Sequence, residues 1–261
     1  MARRLVDPPV TYEVRGSCAV VTLCRPERRN AIDGPTAEAL ESVYARWIAD
    51  GDAKVMILTG QGTEAFCAGA DLKSLDTLLH RVDSESGPLG FTRRIAPKPA
   101  IAAIEGWCVA GGLELALWCD LRVASESAKF GCTERRFGVP LIDGGTQRLP
   151  RTVGLGRAMD LILTGRVIDA TEAERIGLVN RVVPNGTALE NALILGEEIS
   201  QFPWETVLAD RASALEAQGL PLAEGLPREA ERGLPTVNLG AIGAERFADG
   251  DGRHGRGVAG T

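Results

Sequence analysis

Two glutamates and two runs of very small residues are the parts of this sequence best equipped for chemistry. Glu114 lies among Leu113, Leu115 and Ala116, and Glu134 precedes Arg135 and Arg136. Burial raises a carboxyl pKa towards neutrality and a nearby arginine lowers it, so two such acids can divide acid and base roles between them. The small-residue runs are Cys67-Ala68-Gly69-Ala70-Asp71 and Val109-Ala110-Gly111-Gly112-Leu113-Glu114. Their main-chain N–H groups are unshielded, and one from each run could converge on an oxygen that gains negative charge. Plainer readings stand beside these: tight strand-to-helix turns for the small residues, compensation of a helix dipole for Glu114, and a surface ion pair for Glu134.

The rest of the composition narrows the choices. Only His80 and His254 are present, so a Ser-His-Asp triad or a histidine-rich zinc site is excluded as the first expectation. The six cysteines show no C-x-x-C spacing and read as buried free thiols of a reducing cytosol. A formal charge of −6 gives no net pull towards nucleic acid. The basic start has no long apolar run behind it and no stretch reaches the ~18 apolar residues of a membrane span, so a cytoplasmic, membrane-free protein is expected. Gly60-Gln61-Gly62-Thr63-Glu64-Ala65 matches a dinucleotide pattern, yet no helix or later acidic residue follows in place, and an ordinary turn is the better reading.

The elements that would hold these groups alternate. Strands are expected at 18–23, 54–59, 97–104, 121–124 and 178–183, with helices at 36–48, from 110 and at 187–199. Asp71 suits the first turn of a further helix. After Pro203 the segments are helical in composition, and the polar, glycine-rich run from residue 248 reads as a mobile tail. This pattern is α/β.

Taken in order, the motifs resemble the enoyl-CoA hydratase/isomerase (crotonase) family. The resemblance runs from Arg-Pro-Glu-Arg-Arg-Asn-Ala-Ile at 25–32, through Phe-Cys-Ala-Gly-Ala-Asp-Leu-Lys at 66–73, to Ile-Glu-Gly-Trp-Cys-Val-Ala-Gly-Gly-Leu-Glu-Leu-Ala at 104–116. It continues with Glu134, Gly-Gly-Thr-Gln-Arg-Leu at 144–149 and Ala-Glu-Arg-Ile-Gly-Leu-Val-Asn at 173–180. It implies a spiral of ββα turns over residues 1–200 and a helical oligomerisation module over 201–261, assembling a homotrimer or homohexamer. By matching motif, Ala68 and Gly111 would supply two oxyanion-hole amides, and Glu114 and Glu134 would be the catalytic acids. Arg29, Ala31, Ala68, Gly69, Ala70, Asp71 and Leu72 would meet the acyl-CoA, with Arg28 and Lys73 beside them. Coenzyme A would enter within the substrate, with no separate cofactor and no metal. Keeping both acids resembles the hydratases, which add water to a 2-enoyl-CoA. Isomerisation, retro-aldol cleavage, decarboxylation, thioester hydrolysis, or a non-catalytic RNA-binding or scaffold role are the alternatives.

Two departures stand out. Ile142 and Asp143 precede Gly144 where many hydratases carry only small residues, so Asp143 is either a third acid of the site or an N-cap for the helix that follows. The C-terminus lacks the usual hydratase ending.

Overall fold

A computed structural model describes residues 8–249. Its framework follows from β-branched and aliphatic runs that bury both faces, as parallel strands covered by helices must. A six-stranded sheet has the order β1-β2-β3-β5-β7-β10. Its strands are β1 (Val10–Arg15), β2 (Cys18–Leu23), β3 (Val55–Gly60), β5 (Ala100–Ile104), β7 (Leu121–Ser125) and β10 (Arg181–Val183). All pairings are parallel except β1 with β2. A second sheet, β4-β6-β8-β9, is built from β4 (Ala65–Cys67), β6 (Trp107–Val109), β8 (Lys129–Gly131) and β9 (Ile168–Asp169). Successive strands therefore alternate between the sheets, β3 to β4, β5 to β6 and β7 to β8, which is the ββα spiral that the resemblance implies.

Helices α1 (Gly34–Ala49), α2 (Gly111–Trp118), α3 (Gly145–Val153), α4 (Leu155–Thr164), α5 (Ala170–Arg175) and α6 (Ala188–Ser200) complete this part of the chain. Asp33 caps α1, its carboxylate accepting from Thr36 N at 3.0 Å, and Pro35 sits in the first turn, where a missing N–H costs nothing. Every residue of α2 is buried, so that helix is a wall of the interior rather than a surface element.

The chain divides into two compact units, one ending at Gly196 and the other beginning at Glu197. The second contains α7 (Trp204–Glu216), α8 (Leu222–Gly233) and α9 (Val237–Asp249), none of which has a buried residue. Leu222, Leu226, Leu234, Val237, Ile242 and Phe247 are all more than half exposed. Among the described residues no helix is long and apolar enough to cross a membrane. The basic start (residues 1–7), most of the glycine-rich tail and His254 lie outside the described residues.

Three readings of the sequence are corrected here. The strand expected at 178–183 is confined to Arg181–Val183. Leu178 and Val179, though buried, form a turn whose amides both donate to the Ala173 carbonyl. The segment after Asp71, Leu72–Arg81, is 3-10 rather than α-helical and is kinked at Ser74, with Asp71 as its N-cap. Asp143 does not cap α3; that position belongs to Gly144 at φ 104°, without a side-chain cap.

Candidate active site

The first small-residue run is held by a framework of buried polar side chains. Arg25 reaches Asp33 at 2.9 Å and Asp71 at 3.0 Å, and also donates to the Ala31 carbonyl. Asn30 donates to the carbonyls of Gln61 and Ala65 and accepts from Arg25 N. This locks residues 25–33 against 65–71. Within that contact Ile32 N donates to Gly69 O at 2.8 Å and Asp71 N to Ile32 O at 2.7 Å. Backbone groups alternate in direction along an extended segment. The N–H of Ala70, between those two bonds, therefore points the other way, and among the described residues no acceptor meets it.

The Ala68 N–H is already used: it donates to the Arg29 carbonyl at 3.0 Å. The expectation that Ala68 supplies an oxyanion amide is thus corrected, because a hydrogen already donated to the Arg29 carbonyl is not free to meet a substrate oxygen. The free donor in this run is Ala70.

The second run supplies a partner. Gly111 is the first residue of α2, and its N–H is one of the helix's unpaired first-turn donors. The two runs touch backbone to backbone. A Cβ on Gly69, at φ 88°, would lie 2.7 Å from Gly111 N, and one on Gly111 would lie 3.3 Å from Gly69 Cα and 3.6 Å from Ala70 N. Only glycine permits this approach. The turn into α2 is strained as well, with Ala110 at φ 51° and ψ −129°.

Both free amides face a cavity of about 730 Å³, counting the open space at its mouth. Ala68, Ala70, Leu72, Gly111, Glu114, Glu134 and Asp143 line it. Arg29, Ala31, Gly69 and Asp71 do not. Arg29 is exposed with a left-handed φ of 51°, and Asp71 acts behind the wall as the partner of Arg25. Arg28 and Lys73 are exposed. The remaining walls are mostly aliphatic: Leu75, Leu78, Leu79 and Val82 from residues 72–82, Pro88 and Leu89 from the loop after them, and Val139, Pro140 and Ile142 before α3, with Ala110, Thr133 and Phe137 completing them.

Three acids share this cavity. Glu114 is 3% exposed, and its Oε1 accepts from Asp143 N at 3.0 Å and Gly145 N at 2.7 Å, the turn that opens α3. A Cβ at Gly145 would sit 2.9 Å from that oxygen. Burial first, and then the charge of Asp143, push the Glu114 carboxyl up to about 8. The dipole-compensation reading places Glu114 correctly in the first turn of α2 but misses where its carboxyl goes. Glu134, in the 3-10 helix Thr133–Phe137, is buried, and neither carboxyl oxygen has a protein partner. Its arginine neighbours turn away, Arg135 to the Ile162 carbonyl and Arg136 to that of Gly165. The surface ion pair is thereby excluded, and burial holds this carboxyl above its ordinary range. Asp143 accepts from Leu89 N at 3.1 Å and from the Thr92 hydroxyl.

Against this geometry, the comparison with known proteins is decisive. Residues 13–231 match the family model described as enoyl-CoA hydratase/isomerase. The chain belongs to that family. It is similar to the short-chain-enoyl-CoA hydratase of Clostridium acetobutylicum, with 40% identity over 78% of this chain and 80% of the relative. It is also similar to the (E)-benzylidenesuccinyl-CoA hydratase of Thauera aromatica, with 39% identity over 84% of this chain and 86% of the relative. Among solved structures, enoyl-CoA hydratase EchA1 from Mycobacterium marinum superposes with a TM-score of 0.87 at 36% identity, covering 93% of this chain and 96% of that one. The α/β fold, with parallel strands in two sheets and helices at its C-terminal end, is the fold of these enoyl-CoA hydratase/isomerase relatives.

The Leu89 and Thr92 clamp and the Ala70 donor were not read from the sequence. The second had a signal: alternation along 69–71 exposes every other amide once the strand partner is known. The clamp had none, since Leu89 and Thr92 lie 54 and 51 residues from Asp143.

Proposed function

We propose that this protein is an enoyl-CoA hydratase, adding water across the C2–C3 double bond of a 2-enoyl-CoA to give a 3-hydroxyacyl-CoA. One observation carries the reading: a single cavity holds two unpaired main-chain N–H groups, Ala70 and Gly111, beside two buried carboxyls whose remaining oxygens have no protein partner. Addition at C3 puts negative charge on the thioester oxygen, and two fixed donors stabilise it there; losing one such donor typically costs roughly 3–4 kcal/mol.

Proton roles follow from burial and charge. The two amides on Glu114 Oε1 favour its ionised form, but burial and the charge of Asp143 outweigh them and leave the carboxyl protonated, with the proton on Oε2. Glu134, with no donor committed to it, is free to take a proton from water as its oxygen attacks C3. Glu114 then delivers its proton to C2, which discharges the enolate and leaves Glu114 ionised and Glu134 protonated; transfer of that proton from Glu134 to Glu114 restores the starting state. The aliphatic walls suit an acyl chain, and the CoA enters as part of the substrate.

The exposed leucines, valine and phenylalanine of α8 and α9 and the segment joining them support a role for the C-terminal helices in assembly, and a homotrimer or a dimer of trimers is the proposed state.

Loss of the conjugated thioester absorbance of a 2-enoyl-CoA measures turnover. Glu134→Gln keeps size and removes the base, so kcat should fall by roughly 100–10,000-fold with little change in KM. A variant within a few-fold of wild type would refute the mechanism. In crystals with an acyl-CoA, the thioester oxygen should lie about 2.7–3.1 Å from both Ala70 N and Gly111 N.

A further inference from the structure

Asp143 remains without a task in that mechanism, although it is 3% exposed, lines the same cavity and is tied down from several sides. Its Oδ1 receives Leu89 N and the Thr92 hydroxyl, its N–H holds Glu114 Oε1, and its carbonyl accepts from Arg148 Nη1 at 2.9 Å. Arg148 Nη2 reaches the Thr92 carbonyl at 2.6 Å, and Arg93 donates to the Ile142 carbonyl. Residues 87–93 and 142–148 are thus stitched together around one carboxylate. A role as a helix cap is excluded, so this bonding pattern needs another reason.

We propose that Asp143 is a positioning residue for the hydration, its clamped negative charge biasing Glu114 to the proton-bearing role and leaving Glu134 as the base. This rests on the hydratase reading for its consequences in turnover, but the coupling itself is a property of the free protein. The groups that face Glu114 are Asp143 from the turn before α3, Glu134 from its 3-10 helix, Arg148 from α3 and the Cys132 thiol at the end of β8. Only Asp143 is both clamped by donors and arginines and joined to Glu114 through its own backbone. Burial pushes the Asp143 carboxyl above its ordinary range, and the Thr92 hydroxyl, Leu89 N, Arg93 and Arg148 oppose that rise by favouring the charged form. Carboxyls that share one cavity titrate as a set, and Asp143, with two donors and both Arg93 and Arg148 beside it, keeps its charge longest. Removing that charge should let Glu114 ionise more readily, moving the loss of the acid form to lower pH.

The test is Asp143→Asn, which keeps an acceptor for Leu89 and Thr92, in the full-length protein. In kcat/KM against pH, the upper limb should move towards acid by about one pH unit while the lower limb stays. Infrared titration of the free protein reads the same coupling. The carboxylic-acid band that Glu114→Gln abolishes should vanish at lower pH in Asp143→Asn than in wild type. If Asp143→Asn does not fold, Asp143→Ser serves in both measurements. A loss on the order of 100-fold with both limbs in place would make Asp143 a catalytic residue, and unmoved limbs with a lowered melting temperature would make it a strut; either overturns the proposal. An infrared band that titrates at the wild-type pH overturns it too. A wild type that hydrates no enoyl-CoA would instead sink the hydratase reading, and the infrared result would still decide the coupling.

Discussion

Replacing Glu114 by glutamine should abolish turnover and yet make the fold more stable, with a size that depends on pH in a calculable way. The carboxyl is raised from an ordinary 4.5 to about 8 in the folded chain. A folded-state pKa above the unfolded one means that the folded protein holds a proton the unfolded chain releases. This stabilising contribution is complete below about 4.5 and drains away as pH rises towards 8. At pH 7 the difference is about 2.5 units, and at about 1.36 kcal/mol per unit this amounts to on the order of 3 kcal/mol. Glutamine carries no such proton and can still accept from Asp143 N and Gly145 N through its amide oxygen. Relative to wild type, the variant should therefore gain nothing near pH 4.5 and gain up to about 3 kcal/mol at pH 7, roughly 6–12 °C in melting temperature for a chain of this size. Urea unfolding at a series of pH values, monitored by fluorescence, measures both the gain and its slope. A glutamine variant that is destabilised throughout, or that follows the wild-type pH slope, would show that Glu114 is ionised in the resting protein and would refute the assignment of the acid.

Ala110→Gly should raise stability by about 1 kcal/mol. The cost of ~1–3 kcal/mol for a non-glycine residue at that backbone conformation outweighs the ~0.4–1 kcal/mol of extra disorder that glycine gives the unfolded chain; a lower melting temperature would count against strain in this turn. Gly112→Ala should fail to accumulate as folded protein, because its Cβ would collide with the Cys67 carbonyl of β4, and a folded, active variant would contradict the packing of α2 on that strand. Arg25→Met should cost about 3–5 kcal/mol by leaving Asp33 and Asp71 unpaired, with much of this recovered when both are also changed to asparagine. It should raise KM through the loosened 65–71 segment; unchanged stability in chemical denaturation would mean the ion pairs contribute little.

How much of this was legible depended on the range of the interactions. The strand at Cys18–Leu23 was readable to the residue because an unbroken aliphatic run ending at an Arg-Pro step is a local signal. The second sheet was not, since β4, β6 and β8 are three residues each, too short to show a period of two. Glu114, Glu134 and Gly111 were placed in the site by motif, and the cavity brings them together. Ala68 was assigned by matching motif, whereas the direction of an N–H depends on backbone partners from elsewhere in the chain, such as Ile32 and Arg29. Asp143 was read either as a third acid of the site or as a helix cap; it lines the cavity, and the partners of its carboxyl come from another part of the chain.

Three features that break local rules face one cavity, while others, such as the left-handed Arg29 and Asn30 and the unpartnered Glu105 Oε2, lie elsewhere. Ala110 holds a conformation suited to glycine, Glu134 buries two oxygens without donors, and Glu114 keeps a proton that an exposed glutamate would lose. Each lowers stability, and a protein near its stability threshold would shed them if they served nothing. Each also has a direct chemical consequence. The turn at Ala110 aims the first amide of α2 into the cavity, the unpaired Glu134 can accept a proton without breaking an existing bond, and the neutral Glu114 has one to give. That the three costs fall at one place, while the two sheets around it are packed with aliphatic side chains, is the pattern expected when a rigid scaffold holds a strained site in working order.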